Sequence, residues 1–204
     1  MKEKYNQDLK EIKDIMNRST RFISLSGLSG VSTGITALAG AYLAYLTFFK
    51  DHDYLVYHAV ELSSESVRYL LLIAIGTLIV SIGMAIFFTT GKTKKQNQRI
   101  WDHQTKRLLI NLSIPLITGG LLCLMLLLKG FIGLIPPLTL IFYGLALVNG
   151  SKYTLLEIRG LGLLEILLGL VAIQFIDYGL ILWALGFGIF QIVYGLIIQR
   201  KYKL

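Results

Sequence analysis

Residues 69–91 read YLLLIAIGTLIVSIGMAIFFTTG, 23 residues without a charged side chain, closed by Arg68 on one side and Lys92 on the other. At 1.5 Å per residue a helix of this length reaches about 35 Å, enough to cross the roughly 30 Å hydrocarbon core of a bilayer. An unbroken apolar run of that length marks a membrane protein.

The same pattern repeats on both sides of it. Cutting the chain at its charges leaves six long runs: 22–49, 69–91, 108–128, 130–151, 160–176 (with Glu165 inside) and 178–199. Their lengths are 28, 23, 21, 22, 17 and 22 residues, and together they hold 133 of the 204 residues. No stretch is left for a separate soluble domain. The expected organisation is an all-α polytopic membrane protein, with a cytoplasmic amphipathic segment over 1–21 and one six-helix transmembrane domain over 22–204. Composition agrees, since apolar residues make up 54% and charged residues only 16%, where a soluble domain carries about 25% charged. Mean hydropathy is +0.65. Soluble enzymes, disordered tails and nucleic-acid modules fit these values poorly.

Orientation follows from Lys and Arg, which stay on the cytoplasmic side of short loops. The seven segments outside the runs hold six, two, six, one, two, none and three of them in chain order. The first, third, fifth and seventh therefore carry 17 and the others 3, which places both termini in the cytoplasm of a multi-pass protein of the cell membrane, the inner membrane in a bacterium. The formal net charge of +8 is then read as topology and as attraction to anionic lipids at the cytoplasmic face, with no nucleic-acid partner implied. The first apolar run is too long for a cleaved signal peptide and follows a charged segment. It is expected to stay as helix 1.

Before that run, Tyr5, Leu9, Ile12 and Met16 recur at steps of four, three and four. Such a stripe lines one face of a helix and suits an in-plane helix on the inner leaflet or one that docks on a partner. Within the run, Ser26, Gly30, Gly34, Ala37, Ala41 and Ala44 fall on one side. Small residues let membrane helices approach closely, so helix 1 is expected to be buried, with Gly30 and Gly34 at the contact. Pro115 with Gly119-Gly120 is expected to bend helix 3, whereas Pro136-Pro137 sits where helix 4 starts and missing amides matter less. Helices 4 and 6 share an ending, Tyr143-Gly144-Leu145 and Tyr194-Gly195-Leu196, each followed by a basic-Tyr pair. Three hairpins of like orientation are a natural description.

Arg21-Phe22-Ile23-Ser24-Leu25-Ser26-Gly27-Leu28-Ser29-Gly30, together with Phe142-Tyr143-Gly144-Leu145-Ala146 and Ser151-Lys152-Tyr153-Thr154, resembles a group of small uncharacterised bacterial six-helix integral membrane proteins. The resemblance implies the six-helix fold and carries no function.

Several motifs point to chemistry. Gly27-Leu28-Ser29-Gly30 has the form of the G-x-S-G of intramembrane serine proteases, and Gly30-Val31-Ser32-Thr33-Gly34 spells a G-x-S-x-G elbow. A serine hydroxyl needs a base, and His52, His58 and His103 all lie outside the runs, which also contain no lysine. Small-residue packing is the better reading of both motifs. No catalytic set, haem ligation or other cofactor is implied, and the protein is not expected to be an enzyme. The single cysteine, Cys123, has no partner for a disulfide within the chain.

Glu165 is the one ionisable residue well inside a run. A charge at the centre of a spanning helix costs about 2.5–3.5 kcal/mol even on insertion scales, so something must compensate. Counted from Arg159 it lies about 9 Å in from the cytoplasmic end. Asn111, Asn149, Tyr143, Gln191 and Tyr194 lie roughly 4–14 Å in from the same face, and a cytoplasm-facing polar cavity built from these six would handle a substrate or a proton. In the outer loop, His58, Glu61 and Glu65 fall at helical steps and form a workable set for a transition metal, although solvated loop acids are far commoner. Two functions follow: a small secondary transporter or permease with Glu165 as coupling group, or a non-catalytic subunit or sensor acting through helix packing, partner binding or homo-oligomerisation.

Overall fold

The computed structural model describes residues 26–49, 64–95 and 103–202, and nearly all of them are helical. Helix α1 (Gly27–Ala44) is carried on by a π-helical turn (Tyr45–Phe49), followed by α2 (Ser64–Lys95) and α3 (His103–Leu128). A 3-10 turn (Ile132–Leu134) leads into α4 (Ile135–Gly150), and α5 is Leu156–Gln174. The sixth rod is composite. It comprises a 3-10 turn (Ile176–Tyr178), α6 (Gly179–Trp183), a π-helical stretch (Ala184–Phe190) and α7 (Gln191–Lys201). The amphipathic segment 1–21 lies outside the described residues.

Local chemistry explains the boundaries. After α3 the chain turns at Gly130, whose φ of +82° is a left-handed value that favours glycine. The Gly130 amide donates to the Leu127 carbonyl at 3.0 Å and the Phe131 amide to that of Leu126 at 2.9 Å. These paired bonds satisfy carbonyls that the helix end would otherwise leave bare. Pro136 and Pro137 stand in the first turn of α4, where amides have no intrahelical partner to lose. Pro115, by contrast, lies within α3, which continues to Leu128 as one α-helix. The expected break is found elsewhere, in the sixth rod.

The helices form a row. One end helix, α2, packs on α1; α1 packs on the sixth rod; the rod meets α4 and α5, which pair with each other; α3 covers α4 at the far end. The first two hairpins are packed pairs, but α5 pairs mainly with α4 and the sixth rod mainly with α1. Glycines set both central seams. A Cβ on Gly34 would stand 2.8 Å from the Gly188 carbonyl, and one on Gly30 would stand 3.1 Å from the Gly195 Cα. Across the other seam, a Cβ on Gly162 would lie 2.7 Å from the Gly144 carbonyl and one on Gly169 2.8 Å from that of Pro137. Backbones this close leave no room for side chains, which is how small residues hold membrane helices together. The packing role read for Gly30 and Gly34 has its partner face on the sixth rod.

Among the described residues four helices are long and apolar enough to cross a membrane, over Val67–Thr93, Thr105–Leu128, Ile132–Gly150 and Ile176–Lys201. Helices α1 and α5 are less apolar for visible reasons. Eight of the 18 residues of α1 are Gly, Ser or Thr, and α5 carries Glu157, Arg159 and Glu165. Both sit inside the row, between other helices. The polar groups of α1 are satisfied locally: Ser29 Oγ donates to the Ser26 carbonyl at 2.6 Å, Thr33 Oγ1 to that of Ser29 at 2.9 Å and Thr36 Oγ1 to that of Ser32 at 2.9 Å. Both serine motifs of helix 1 thus turn their hydroxyls to the helix's own backbone, Ser32 Oγ reaching the Ser29 carbonyl at 3.0 Å.

Candidate functional site

Glu165 stands nine residues from each end of α5, or about 14 Å at the helical rise. Because the helix begins three residues before Arg159, Glu165 lies at its centre. The side chain is turned into the bundle and is 0% exposed. Neither carboxyl oxygen has a hydrogen-bond partner among the described residues. Its surroundings are apolar. A Cβ built on Gly186 would collide with Glu165 Oε2 and would lie 2.6 Å from Leu140 and 3.1 Å from Leu168. The carboxyl group therefore occupies the place that a side chain at 186 would take, and glycine is needed there for that reason. Gly186 belongs to the π-helical stretch of the sixth rod. Such insertions are rare and frequently occur at functional sites.

One turn along the rod, the backbone amide of Gln191 donates to the Gly186 carbonyl. The Gln191 side chain reaches across to α4, where Nε2 donates to the Tyr143 hydroxyl at 3.0 Å. Its Oε1 is buried without a partner. Tyr143 lies within electrostatic reach of Glu165 and its ring stacks on Phe187 with centroids 4.8 Å apart. Phe187 in turn stacks on Trp183 at 4.8 Å, and Trp183 Nε1 donates to Thr139 Oγ1 at 3.1 Å. Residues 183, 187 and 191 of the rod thus meet 139 and 143 of α4, both sets spaced by four. The result is an aromatic and polar ladder beside the carboxyl group.

Of the six residues expected to converge, three do: Glu165, Tyr143 and Gln191. Asn111 and Asn149 form a different seam, between α3 and α4, where Asn149 Nδ2 donates to the Asn111 carbonyl at 2.9 Å and Asn111 Nδ2 to the Arg107 carbonyl at 2.8 Å. Tyr194 faces α5 nearer its start, its hydroxyl 2.9 Å from where a Cβ on Gly160 would lie. Protein atoms close around Glu165 instead of an open polar cavity. A shallow hollow of about 460 Å³ does occur, but on the outer face of α3, lined by Leu109, Ile110, Ser113, Ile114, Ile117 and Thr118. Residues of one helix alone line it, and Glu165 is not among them.

At the other end of α5's first half, Glu157 is held by two partners. Lys201 Nζ donates to its Oε1 at 2.6 Å, and the Tyr202 hydroxyl lies 3.2 and 3.3 Å from its two oxygens. Partial burial pushes this carboxyl group upward, but the hydrogen bonds from Lys201 and Tyr202 outweigh it and hold Glu157 below the ordinary carboxylate range. Beneath this clasp Leu155, Ile158 and Ile198 form a small apolar cluster with Leu147 and Tyr202. The clasp joins the start of α5 to the end of α7.

For the outer-loop metal set, His58 and Glu61 lie outside the described residues. Glu65, in the first turn of α2, is 3.7 Å from Arg68 and exposed. Among the described residues no group of three or more His, Cys, Asp or Glu gathers. Cys123 is a free, half-buried thiol. The ladder residues Thr139, Trp183 and Phe187 were missed by sequence reasoning. The repeat of four from Trp183 through Phe187 to Gln191 was their signal, but it looks the same as ordinary core packing.

No family model matches the chain, and no curated protein or solved structure matches it either.

Proposed function

We propose that the chain is a six-span integral membrane protein with both termini cytoplasmic, and that it works as a small secondary transporter in which Glu165 is the coupling group. What carries the transport reading is Glu165 itself, fully buried with two unpartnered oxygens at the middle of α5. A carboxyl group so placed is stable only as the neutral acid or beside a cation. Exchange between those two forms is the elementary step of proton- or cation-coupled transport. The π-helical stretch against Glu165 supplies a joint in the sixth rod, and the Glu157–Lys201 clasp closes the cytoplasmic end. Opening that end while the glycine seams hold the helix pairs would admit solute to the carboxyl group.

Six spans follow if α1 and α5 cross with the four apolar helices, their polar residues shielded by neighbours. Reporter fusions test the topology. Activity only in the periplasm at Ser64 and only in the cytoplasm at Gln98 is expected, and the opposite pattern at either site overturns it. For the transport reading, proteoliposomes under an imposed pH difference should show Glu165-dependent proton movement that Glu165→Gln abolishes. Proton movement equal in the two proteins would reject Glu165 as the coupling group.

A second reading, a non-catalytic subunit or sensor, draws on α2. Among the described residues this helix packs mainly on α1 and leaves Leu72, Ile75, Leu78, Ile79 and Phe87 exposed, a surface that lipid or a partner helix would cover. Full activity of the Glu165→Gln protein together with a stable co-purifying partner would favour this reading.

A further inference from the structure

We infer that the site takes a large, weakly hydrated organic monocation, of the quaternary ammonium or phosphonium class, seated against Trp183, Phe187 and Tyr143 with Glu165 as its counter-charge. This rests on the reading of Glu165 as the exchanging group and adds the class of solute.

The sign of the ligand comes from the unpaired atoms. Glu165 Oε1, Glu165 Oε2 and Gln191 Oε1 are all buried acceptors without partners. The ladder's nitrogens are already engaged, Gln191 Nε2 on Tyr143 and Trp183 Nε1 on Thr139. An anion would meet a carboxylate, whereas a cation would meet three oxygens.

The valence comes from the charge count. Glu165 is the only carboxylate among the buried polar residues of the described chain, and no acidic or metal-ligating group of three surrounds it. A calcium ion asks for six to eight oxygens, and magnesium for octahedral coordination with several retained waters. One carboxylate balances one positive charge.

The hydration and size come from the aromatic faces. The rings of Tyr143, Phe187 and Trp183 follow one another with centroid spacings of 4.8 Å, and aromatic rings attract cations most strongly when the cation is stripped of water. A compact alkali ion would have to exchange its hydration shell for only a few oxygens. A quaternary centre has little hydration to lose and gains contact with the rings. Entry needs the ladder to open along the rod, and the π-helical stretch from Ala184 to Phe190 is the joint that carries Phe187.

The exchange balances in atoms and charge. The neutral acid loses its proton as the O–H bond breaks, the electron pair stays on the carboxylate, the proton leaves to water, and the monocation takes its place. The site remains electroneutral before and after.

The test uses the purified full-length protein in detergent with tetraphenylphosphonium as probe, measured by calorimetry at alkaline and at mildly acidic pH in two buffers of different ionisation enthalpy. Saturable binding is expected, tighter at the alkaline pH, with one proton released per cation bound. Glu165→Gln, which keeps the shape, should lose the saturable component, while Lys129→Gln, an exposed change at the turn after α3, should bind like the wild type. Phe187→Leu, a milder change than removal of the side chain, should weaken binding about fivefold to tenfold. Binding that is equal in the Glu165→Gln protein, or that does not saturate, is adsorption to apolar surface and overturns the proposal. So does unchanged affinity in Phe187→Leu. Glu165-dependent proton movement in proteoliposomes with no saturable tetraphenylphosphonium binding would overturn the solute class and leave the coupling role standing; loss of both would reject the two together.

Discussion

Glu157 and Glu165 stand eight residues apart on α5, a little over two turns, and the protein treats them in opposite ways. Glu157 sits at the helix start, where Lys201 and Tyr202 donate to it and water reaches part of it. Glu165 sits at the helix centre with no donor and 0% exposure. An exposed ion pair gains little, because water already solvates both charges well. An unpartnered buried carboxyl is a standing cost, and proteins keep such costs mainly where function uses them. Residue type is the same at the two positions; environment assigns one to structure and the other to exchange.

The largest effect that would sharpen this contrast is on activity. Glu165→Gln should reduce coupled transport to background while its melting midpoint in detergent stays at or above that of the wild type, since an amide removes the ionisable group and keeps the volume. Loss of the fold in this variant would show that Glu165 has a partner it cannot do without. Next in size is Gly186→Val, which fills the space that the Glu165 carboxyl group occupies. Overpacking of this kind costs about 1–3 kcal/mol, read as a lowered midpoint, and combining it with Glu165→Ala should recover part of the loss. Additive losses would mean that the two side chains do not share the space.

Smaller still is Tyr143→Phe, which removes the acceptor of the Gln191 amide. A lost buried hydrogen bond is worth about 0.5–1.5 kcal/mol, and thermal melts should register it. The smallest effect belongs to Glu157. Its carboxyl group is held below the ordinary value of 4.5, so its contribution is complete above that pH and is lost as pH falls through the lowered value. Glu157→Gln should therefore melt slightly below the wild type at neutral pH and coincide with it in strong acid. A gap that widens with acidity would reverse the assignment of Glu157 as the paired carboxylate.

Much of the fold was legible from the charges. The run 69–91 became α2 and 108–128 became the body of α3, because charged residues must stay near the water boundary and so mark where helices end. The small residues of helix 1 named a packing face correctly, since close approach has a compositional cause. Azimuth was harder to read. Asn111 and Asn149 stand three or four residues from the basic residues that bound their runs, whereas Tyr143 and Gln191 stand nine in; the two asparagines face the α3–α4 seam, and sequence depth says nothing of which neighbour a helix face meets. The break was also misplaced. Pro115 is an evident helix breaker, but α3 accommodates it, whereas the π-helical stretch around Gly186 and Gly188 looks in sequence like one more small-residue surface. It lies where Glu165 of the adjacent helix meets the rod at Gly186.

Glu165 is a carboxyl group at the core of the bundle without a hydrogen-bond partner among the described residues. Infrared difference spectroscopy of wild type against Glu165→Gln in lipid nanodiscs, at neutral pH and without added organic cation, reads this group directly. A single protonated-carboxyl stretch is expected in the wild type, at the high-frequency position of a free acid, absent from the variant and sharp enough to indicate one environment. A difference confined to the carboxylate region would contradict it, because an ionised Glu165 needs a partner that the site does not provide.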